Sequence, residues 1–453
     1  MLKEIEIWYN SPSLRRSPFI LFGARQTGKS TMLLEFAKQT KREAINLNFW
    51  KDENDTLKNL FSKNTSAKTI LSKLEILLEK KIDEDRNILI LDEIQEAPSA
   101  YALFKSFKED THLPVMATGS YLKLFLKHNN DIEIPIGCTH EKLLTPLTFS
   151  EYLYNANPKL FEIYIKFDHQ SQIDDFYHNS FLKAYYDYLF TGGMPEAVSI
   201  FIEHKNNSLL DATTLTRTIQ NQILTGYKND FLKIASSNKY PHIGVEKIAR
   251  LFDLIPKELM KFHELDTPVQ RFKFSSLGTN QKFSKVSNIF EYLSLSGVII
   301  KSHVIKKISS PLDNLSEHSA FKCFFFDVGL LHSALKIPYM AITQNQLSSY
   351  KGPIAENFVA QELFHATKED LHSWKPNNYQ EVEFLHIPSA DDLTAIEVKS
   401  SKNALPSKSL MHFLNLYPKA KGIKFSPKNF GNNERFVTIP IYMVEKVLGT
   451  STI

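Results

Sequence analysis

Apolar positions in the first 120 residues come in short continuous runs, separated by longer stretches with helical spacing. Phe19-Ile20-Leu21-Phe22 is one run, the centre of Asn87-Ile-Leu-Ile-Leu-Asp92 a second, and Leu113-Pro-Val-Met-Ala117 a third. Uninterrupted apolar character of strand length suits strands buried on both faces of a parallel sheet. Ala44-Ile-Asn-Leu-Asn-Phe49 alternates instead and reads as a further strand. Between the strands, Thr31–Lys38 puts Met32, Leu33, Phe36 and Ala37 on one helical face. Residues 51–86 are charged with a helical pattern, and Ala100–Phe107 predicts another helix. Such β–α alternation predicts a parallel sheet with helices on both faces.

Further along, Ser150 reads as a helix N-cap, and residues 151–235 are aromatic-rich and helical. Gly192-Gly-Met-Pro195 interrupts them and is expected to turn the chain against the N-terminal domain. Residues 243–305 predict two helices and then two short strands, the second helix being Lys282–Leu295 with Gly297 ending it. That is the pattern of a winged-helix unit, which can read DNA or serve as a lever or protein contact. Residues 313–320 read as a loop before an apolar strand Phe321–Phe326, and a polar joint near Thr343–Tyr350 opens the last domain. The expected organisation is therefore an α/β domain over 1–150, a helical region over 151–242, a winged-helix-like domain over 243–342 and a last α/β domain over 343–453.

Composition narrows the class without deciding it. An apolar fraction of 43% and a charged fraction of 23% are those of a folded globular chain. A net charge of +4 permits contact with nucleic acid but does not argue for it. Two cysteines, Cys138 and Cys323, make no disulfide framework and offer no metal spacing. No apolar run has bilayer length and Met-Leu-Lys-Glu-Ile-Glu is no signal peptide, so a cytoplasmic location without membrane contact is expected.

Candidate chemistry centres on Gly23-Ala24-Arg25-Gln26-Thr27-Gly28-Lys29-Ser30, which fits G-x-x-x-x-G-K-[ST] at every position. It lies between a strand and a helix, as phosphate binding requires. Backbone N–H groups close around phosphate oxygens and the helix that Thr31 continues adds its positive end. Lys29 is placed for the β- and γ-phosphates and Ser30 for Mg2+, so ATP or GTP is implied. Asp92 and Glu93 end the second apolar run, where ligands bind in open α/β sheets. Asp92 suits the Mg2+ shell, and Glu93 suits a base that polarises an attacking water. Ser120, just past another strand, can sense the γ-phosphate or simply cap a turn.

A second constellation lies near the C-terminus. Glu381-Val-Glu383-Phe and Ala395-Ile-Glu397-Val-Lys399 read as strands, with Val382, Phe384, Ile396 and Val398 facing the core. Glu383, Glu397 and Lys399 are then left on the polar side. Gly352-Pro353 starts a helix anchored by Ile354, Phe358 and Leu363, from which Glu356 can point to the same place. Carboxylates around one hard cation, beside a lysine that orients water, make a phosphodiester-cleaving site. Equally, Glu-x-Lys on a strand face can be a plain solvated pair.

Taken in order, these residues form a joint pattern over nearly the whole chain. It runs Gly23–Ser30, Asp92-Glu-Ile-Gln95, Thr118-Gly-Ser120, Pro146-Leu-Thr-Phe-Ser-Glu-Tyr152 and Gly192-Gly-Met-Pro-Glu-Ala197. It continues with Phe326-Asp-Val-Gly-Leu-Leu331, Gly352–Val359, Glu381–Phe384 and Ile396-Glu-Val-Lys-Ser400. The pattern resembles the family of prokaryotic AAA-type ATP-binding proteins with a C-terminal nuclease-like domain. The resemblance implies an AAA-type P-loop ATPase core, a winged-helix middle and a restriction-endonuclease-like α/β end, and favours ATP over GTP. It also implies the sensor position at Ser120 and a nuclease-type motif at Glu356, Glu383, Glu397 and Lys399. Two positions depart from it. Members often carry a basic residue where this chain has Cys138, leaving Arg217 and Arg250 as candidate hydrolysis-assisting cations. Members usually carry aspartate where this chain has Glu383, which shifts a metal oxygen by about one bond length.

Three functions follow as expectations. The first is a Mg-ATP hydrolase or nucleotide switch coupled to a nuclease-like domain that binds DNA or other nucleic acid. The second is a metal-dependent nuclease gated by ATP. The third is a protein-interaction switch with a degenerate nuclease fold, working with a protein partner or a second copy of the chain.

Overall fold

The computed structural model describes residues 1–52, 54–61, 65–120, 137–236, 245–261, 272, 283–308, 316–344, 350–377, 379–389, 392–401 and 407–447. The chain divides into two compact units. One is Met1–Thr145 with Leu295–Gly297; the other is Pro146–Ser294 with the residues from Val298 onward.

The first unit is built on five strands: β1 (Phe19–Phe22), β2 (Glu43–Asn48), β3 (Asn87–Asp92), β4 (Val115–Gly119) and β5 (His140–Leu143). They lie in the order β2-β3-β4-β1-β5, and every pairing is parallel. Alternation along the strands sorts the core into two layers. Ile20, Phe22, Leu89 and Leu91 pack with Ile70, Leu74, Phe104 and Phe107 on one face. Phe19, Leu21, Ile88 and Ile90 pack with Ile5, Trp8, Leu33 and Phe36 on the other. Both faces of the sheet are therefore dry, which is why β1 and β3 are apolar at nearly every position. The expected helix over Ala100–Phe107 is two helices, Pro98–Ala102 and Phe104–Asp110, meeting at Leu103. Strand β5 was not anticipated. It has four residues, and none of their side chains is fully buried.

The second unit carries an eight-stranded mixed sheet formed by β6 (Ile299–Ile305), β7 (Ser316–Phe325), β8 (Leu371–Trp374), β9 (Val382–Ser389), β10 (Asp392–Val398), β11 (Lys421–Ser426), β12 (Gly431–Asn432) and β13 (Val437–Pro440). The order is β12-β13-β11-β10-β9-β8-β6-β7. Two expectations are corrected here. Of the two short strands expected within 243–305, the described residues hold one, β6, which pairs with β7 and, through the parallel β6–β8 ladder, joins the C-terminal sheet. The loop expected over 313–320 is already strand from Ser316, and residues 313–315 lie outside the described residues. The helix of that unit is described over Phe283–Leu295; Lys282 lies outside the described residues.

The helical part of this unit shows one further difference. The N-cap is Thr148 rather than Ser150: its hydroxyl accepts from the Glu151 N–H and the Glu151 carboxylate accepts from the Thr148 N–H, a reciprocal capping box. Ser150 is the second residue of the helix. The Gly192-Gly193 turn closes onto residues of its own unit. Gly193 donates its N–H to Asp327 Oδ2 at 2.7 Å and its carbonyl accepts from the Leu147 N–H at 2.8 Å. Asp327 is fully buried and also caps the helix Val328–Ala334 by accepting from the Leu330 N–H at 2.8 Å. Among the described residues, no helix is long and apolar enough to cross a membrane.

Candidate functional site

The residues of the first motif converge at the C-terminal edge of the parallel sheet. Strand β1 ends at Phe22, and Gly23–Gly28 winds into the helix Lys29–Gln39. A side chain at Gly23 is excluded, because its Cβ would lie 2.2 Å from the Leu144 carbonyl oxygen. Gln26 and Gly28 take positive φ values of 60° and 89°, bending the loop back toward the helix start. Thr27 Oγ1 donates to the Ala24 carbonyl at 2.9 Å and stiffens the bend. Arg25 stacks over the Trp50 ring at 4.9 Å, and Thr31 is exposed on the first turn of the helix.

Lys29 is buried, and its Nζ donates to the Ala24 and Gly23 carbonyls at 2.7 and 3.2 Å. Burial pushes its pKa down to about 8, with Glu93 and Asp92 opposing and Arg25 reinforcing the shift. A phosphate ligand needs the ammonium form. Above pH 8 the neutral amine dominates in the free protein, so binding must take up a proton. Affinity for ATP, measured in EDTA between pH 7 and 9.5, is therefore expected to be flat below pH 8 and to fall about tenfold per pH unit above it.

Asp92 ends β3 with its carboxylate accepting three hydrogen bonds. Ser30 Oγ donates to its Oδ1 at 2.6 Å, the Thr118 hydroxyl donates to the same oxygen, and Asn48 Nδ2 donates to Oδ2 at 2.7 Å. A Mg2+ held chiefly by phosphates and water needs one or two protein oxygens, and Ser30 beside Asp92 meets that requirement. Glu93 follows in a left-handed conformation with φ 57°, its N–H donating to Thr118 Oγ1. Its carboxylate accepts from Gln95 Nε2 at 2.5 Å, while Gln95 Oε1 accepts from the Ser120 N–H at 3.2 Å. The Ser120 hydroxyl is buried and has no hydrogen-bond partner among the described residues. A buried hydroxyl left in this state costs stability, and a ligand oxygen at the end of β4 would relieve it.

Three residues here were given no role from the sequence. Asn48 sits opposite Asp92 in the β2–β3 register, so a polar residue closing the second strand was the available signal. Thr118 and Gln95 stood inside the motifs but carry their information in the fold, through contacts across the strand ends.

The C-terminal constellation is also drawn together, in a different form from the one expected. Glu397 is 3% exposed, not on a solvated face, because helices Lys351–Thr367 and Lys408–Leu416 both pack against β10. Val382 and Phe384 do not share one inward face. The β8–β9 register shifts between His372 and Trp374, so Val382 packs with Leu385, Ala395 and Phe413 while Phe384 meets Phe324. Lys399 Nζ lies 2.7 Å from Glu397 Oε1 and 3.7 Å from Glu383 Oε1. Burial raises the Glu383 pKa to about 8 against the pull of Lys399, with Glu356, Glu397 and Glu381 adding to the rise. Glu356, 5% exposed, is ion-paired to Lys322, which the sequence had not singled out. The signal was a lysine inside the apolar Phe321–Phe326 run. Among the described residues, no three His, Cys, Asp or Glu side chains form a group that could hold a metal ion.

The candidate assisting arginines are placed differently from each other. Arg217 donates to the Ile337 carbonyl at 2.6 Å and to Gln220 Oε1 at 3.0 Å, and stacks over Phe190. Burial lowers its pKa to about 10. Arg250 is exposed on the helix Val245–Lys261, and Cys138 is half-buried.

The parallel sheet, the glycine loop and the two acidic residues at β3 define an AAA-type P-loop ATPase domain. Residues 15–153 match the AAA domain family. Residues 182–341 and 351–444 match two domains of unknown function (DUF8612 and DUF4143). No curated protein sequence matches the chain. Among solved structures, the chain is similar to the Walker-type ATPase PABY2304 of Pyrococcus abyssi at 14% identity and a TM-score of 0.46, over 74% of this chain and 94% of that one. It is also similar to the ORC2 protein of Aeropyrum pernix in its ADP form, at 12% identity and a TM-score of 0.28, covering 66% of this chain and 86% of that one. A third is Cdc6p of Pyrobaculum aerophilum, at 12% identity and a TM-score of 0.24, covering 74% of this chain and 93% of that one.

Proposed function

We propose that this chain is a Mg-ATP hydrolase that works as a nucleotide-dependent switch. The loop Gly23–Gly28 would enclose the phosphates, Lys29 would leave its loop carbonyls for the β- and γ-phosphates, and Ser30 with Asp92 would hold a Mg2+ that supplies charge neutralisation on the phosphoryl oxygens. Glu93 orients the attacking water once Gln95 releases it, and Ser120 reports the γ-phosphate. The observation that carries this reading is the convergence of Lys29, Ser30 and Asp92, together with a buried Ser120 hydroxyl that has no partner among the described residues. A switch requires different contacts in the ATP and ADP states, and Ser120 and Glu93 would supply that difference.

Position 138 carries no basic side chain, so an arginine from a second copy or from a protein partner would complete the transition-state charge. DNA is the nucleic acid to test first as the coupled ligand. The deciding experiment is ATP binding and steady-state hydrolysis with Mg2+, with and without DNA. Turnover that DNA stimulates supports a nucleic-acid-coupled ATPase. Tight binding without turnover supports a switch awaiting its arginine donor. Failure to bind ATP overturns the proposal.

A further inference from the structure

The acid cluster of the second unit contains more lysine than a metal centre tolerates. Lys322 enters it from β7, with Phe321, Cys323 and Phe324 buried around it. Its Nζ lies 2.9 Å from Glu356 Oε2 and 2.7 Å from Glu381 Oε1, bridging the helix Lys351–Thr367 and the residue that leads into β9. Lys375 stands 3.6 Å from the other oxygen of Glu381. Lys399 covers Glu397 and Glu383. We propose that Lys322 is the resident cation of this cluster, and that the nuclease-like arrangement of Glu356, Glu383, Glu397 and Lys399 takes up no divalent metal.

Few carboxylate oxygens of the cluster remain for a metal to bind. A hard divalent ion needs around six oxygens at roughly 2.0–2.6 Å. Here Glu356 Oε2 and Glu381 Oε1 already face an ammonium that is 2% exposed. Glu397 Oε1 faces Lys399, and Glu383 Oε2 accepts the Val398 N–H at 3.4 Å. Among the described residues Glu397 Oε2 is buried without a hydrogen-bond partner, but one such oxygen, with no phosphates to supply the rest as at Ser30 and Asp92, does not make a site. A divalent ion placed beside it would meet buried ammonium groups with little solvent to screen the repulsion. Expelling Lys322 instead would take away the ammonium that the buried Glu356 and Glu381 share. The lysine thus supplies the charge a metal would bring, without a metal's open coordination positions for water and phosphate. The cluster ties β7, β9, β10 and the helix Lys351–Thr367 together and leaves cleavage chemistry without its cation.

Mn2+ titration of the nucleotide-free full chain, followed by electron paramagnetic resonance, tests this. The wild type is expected to show no Mn2+ site that Glu397→Gln removes. Lys322→Met is expected to gain one site, at least roughly tenfold tighter than any in the wild type and lost again in Lys322→Met with Glu397→Gln. Lys322→Arg should behave as the wild type does. A micromolar Mn2+ site in the wild type that Glu397→Gln abolishes overturns the proposal. A folded Lys322→Met protein that gains no site removes Lys322 as the cause. Should Lys322→Met fail to fold, the wild type against Glu397→Gln decides by itself.

Discussion

Lys29→Ala is expected to abolish ATP binding, while Glu93→Gln binds ATP as the wild type does and loses turnover. The two substitutions separate because they act on different charges. In the free protein the Lys29 ammonium bonds to the Ala24 and Gly23 carbonyls. On binding it exchanges these neutral acceptors for phosphate oxygens. Two hydrogen bonds to a charged group contribute about 3–6 kcal/mol, so their loss weakens binding by two or more orders of magnitude. Glu93 lies at the far end of β3, tied to Gln95 and, through its N–H, to Thr118. Glutamine preserves that shape, since its carbonyl can still accept from Gln95, but it cannot act as a base. Turnover should fall about 10²–10⁴-fold. Of the three tryptophans, Trp8 and Trp374 are buried, while Trp50 is 48% exposed beneath Arg25 of the loop. Its fluorescence is therefore a direct reporter of binding in both variants. Unchanged hydrolysis in both would sink the proposed function.

What could be read from the sequence at this site follows from how local the information is. The glycine loop, Lys29, Ser30 and the carboxylates after β3 are specified by spacing within a few residues, and the apolar runs of β1 and β3 announce burial on both faces. Gln95, Asn48 and Thr118 act by touching residues across strand ends, which no local pattern encodes. The same limit explains the second unit. The β6–β8 pairing joins Ser302 to Leu371 in parallel across a long stretch of chain, so what looked like a separate winged-helix unit shares its sheet with the C-terminal domain. The acid cluster was legible as carboxylates and one lysine on adjacent strands. Its meaning changed once β7 brought in Lys322, whose strand lies at the sheet edge and reaches Glu356 through the overlying helix. The Thr148 cap was missed by two residues because Thr-Phe-Ser-Glu offers two hydroxyls, and only the reciprocal bond to Glu151 chooses between them.

Gly193→Ala should destabilise the second unit severely, and Gly226→Ala should do the opposite. At Gly193 an added Cβ would lie 2.1 Å from the Leu147 carbonyl oxygen and 2.7 Å from its nitrogen. These are backbone atoms, and neither can step aside. Leu147 N–H already donates to the Gly193 carbonyl, the Leu147 oxygen accepts from the Tyr188 hydroxyl, and Gly193 N–H is held by buried Asp327. Opening the contact therefore breaks several buried hydrogen bonds at once, and the Asp327 carboxylate then loses a donor with no water to replace it. The cost should be at least 3 kcal/mol, enough to lower soluble yield or abolish folding. Gly226 lies inside the helix Leu209–Ser236 with nothing within 4 Å of its would-be Cβ. Alanine there removes the entropic cost of a helical glycine and should add up to about 1 kcal/mol. Urea denaturation of the full chain, followed by far-ultraviolet circular dichroism, reads both. If Gly193→Ala unfolds at the wild-type midpoint, the close approach of Gly193 to Leu147 is not a structural requirement, and the Gly192-Gly-Met-Pro195 motif would have to be explained by something other than packing.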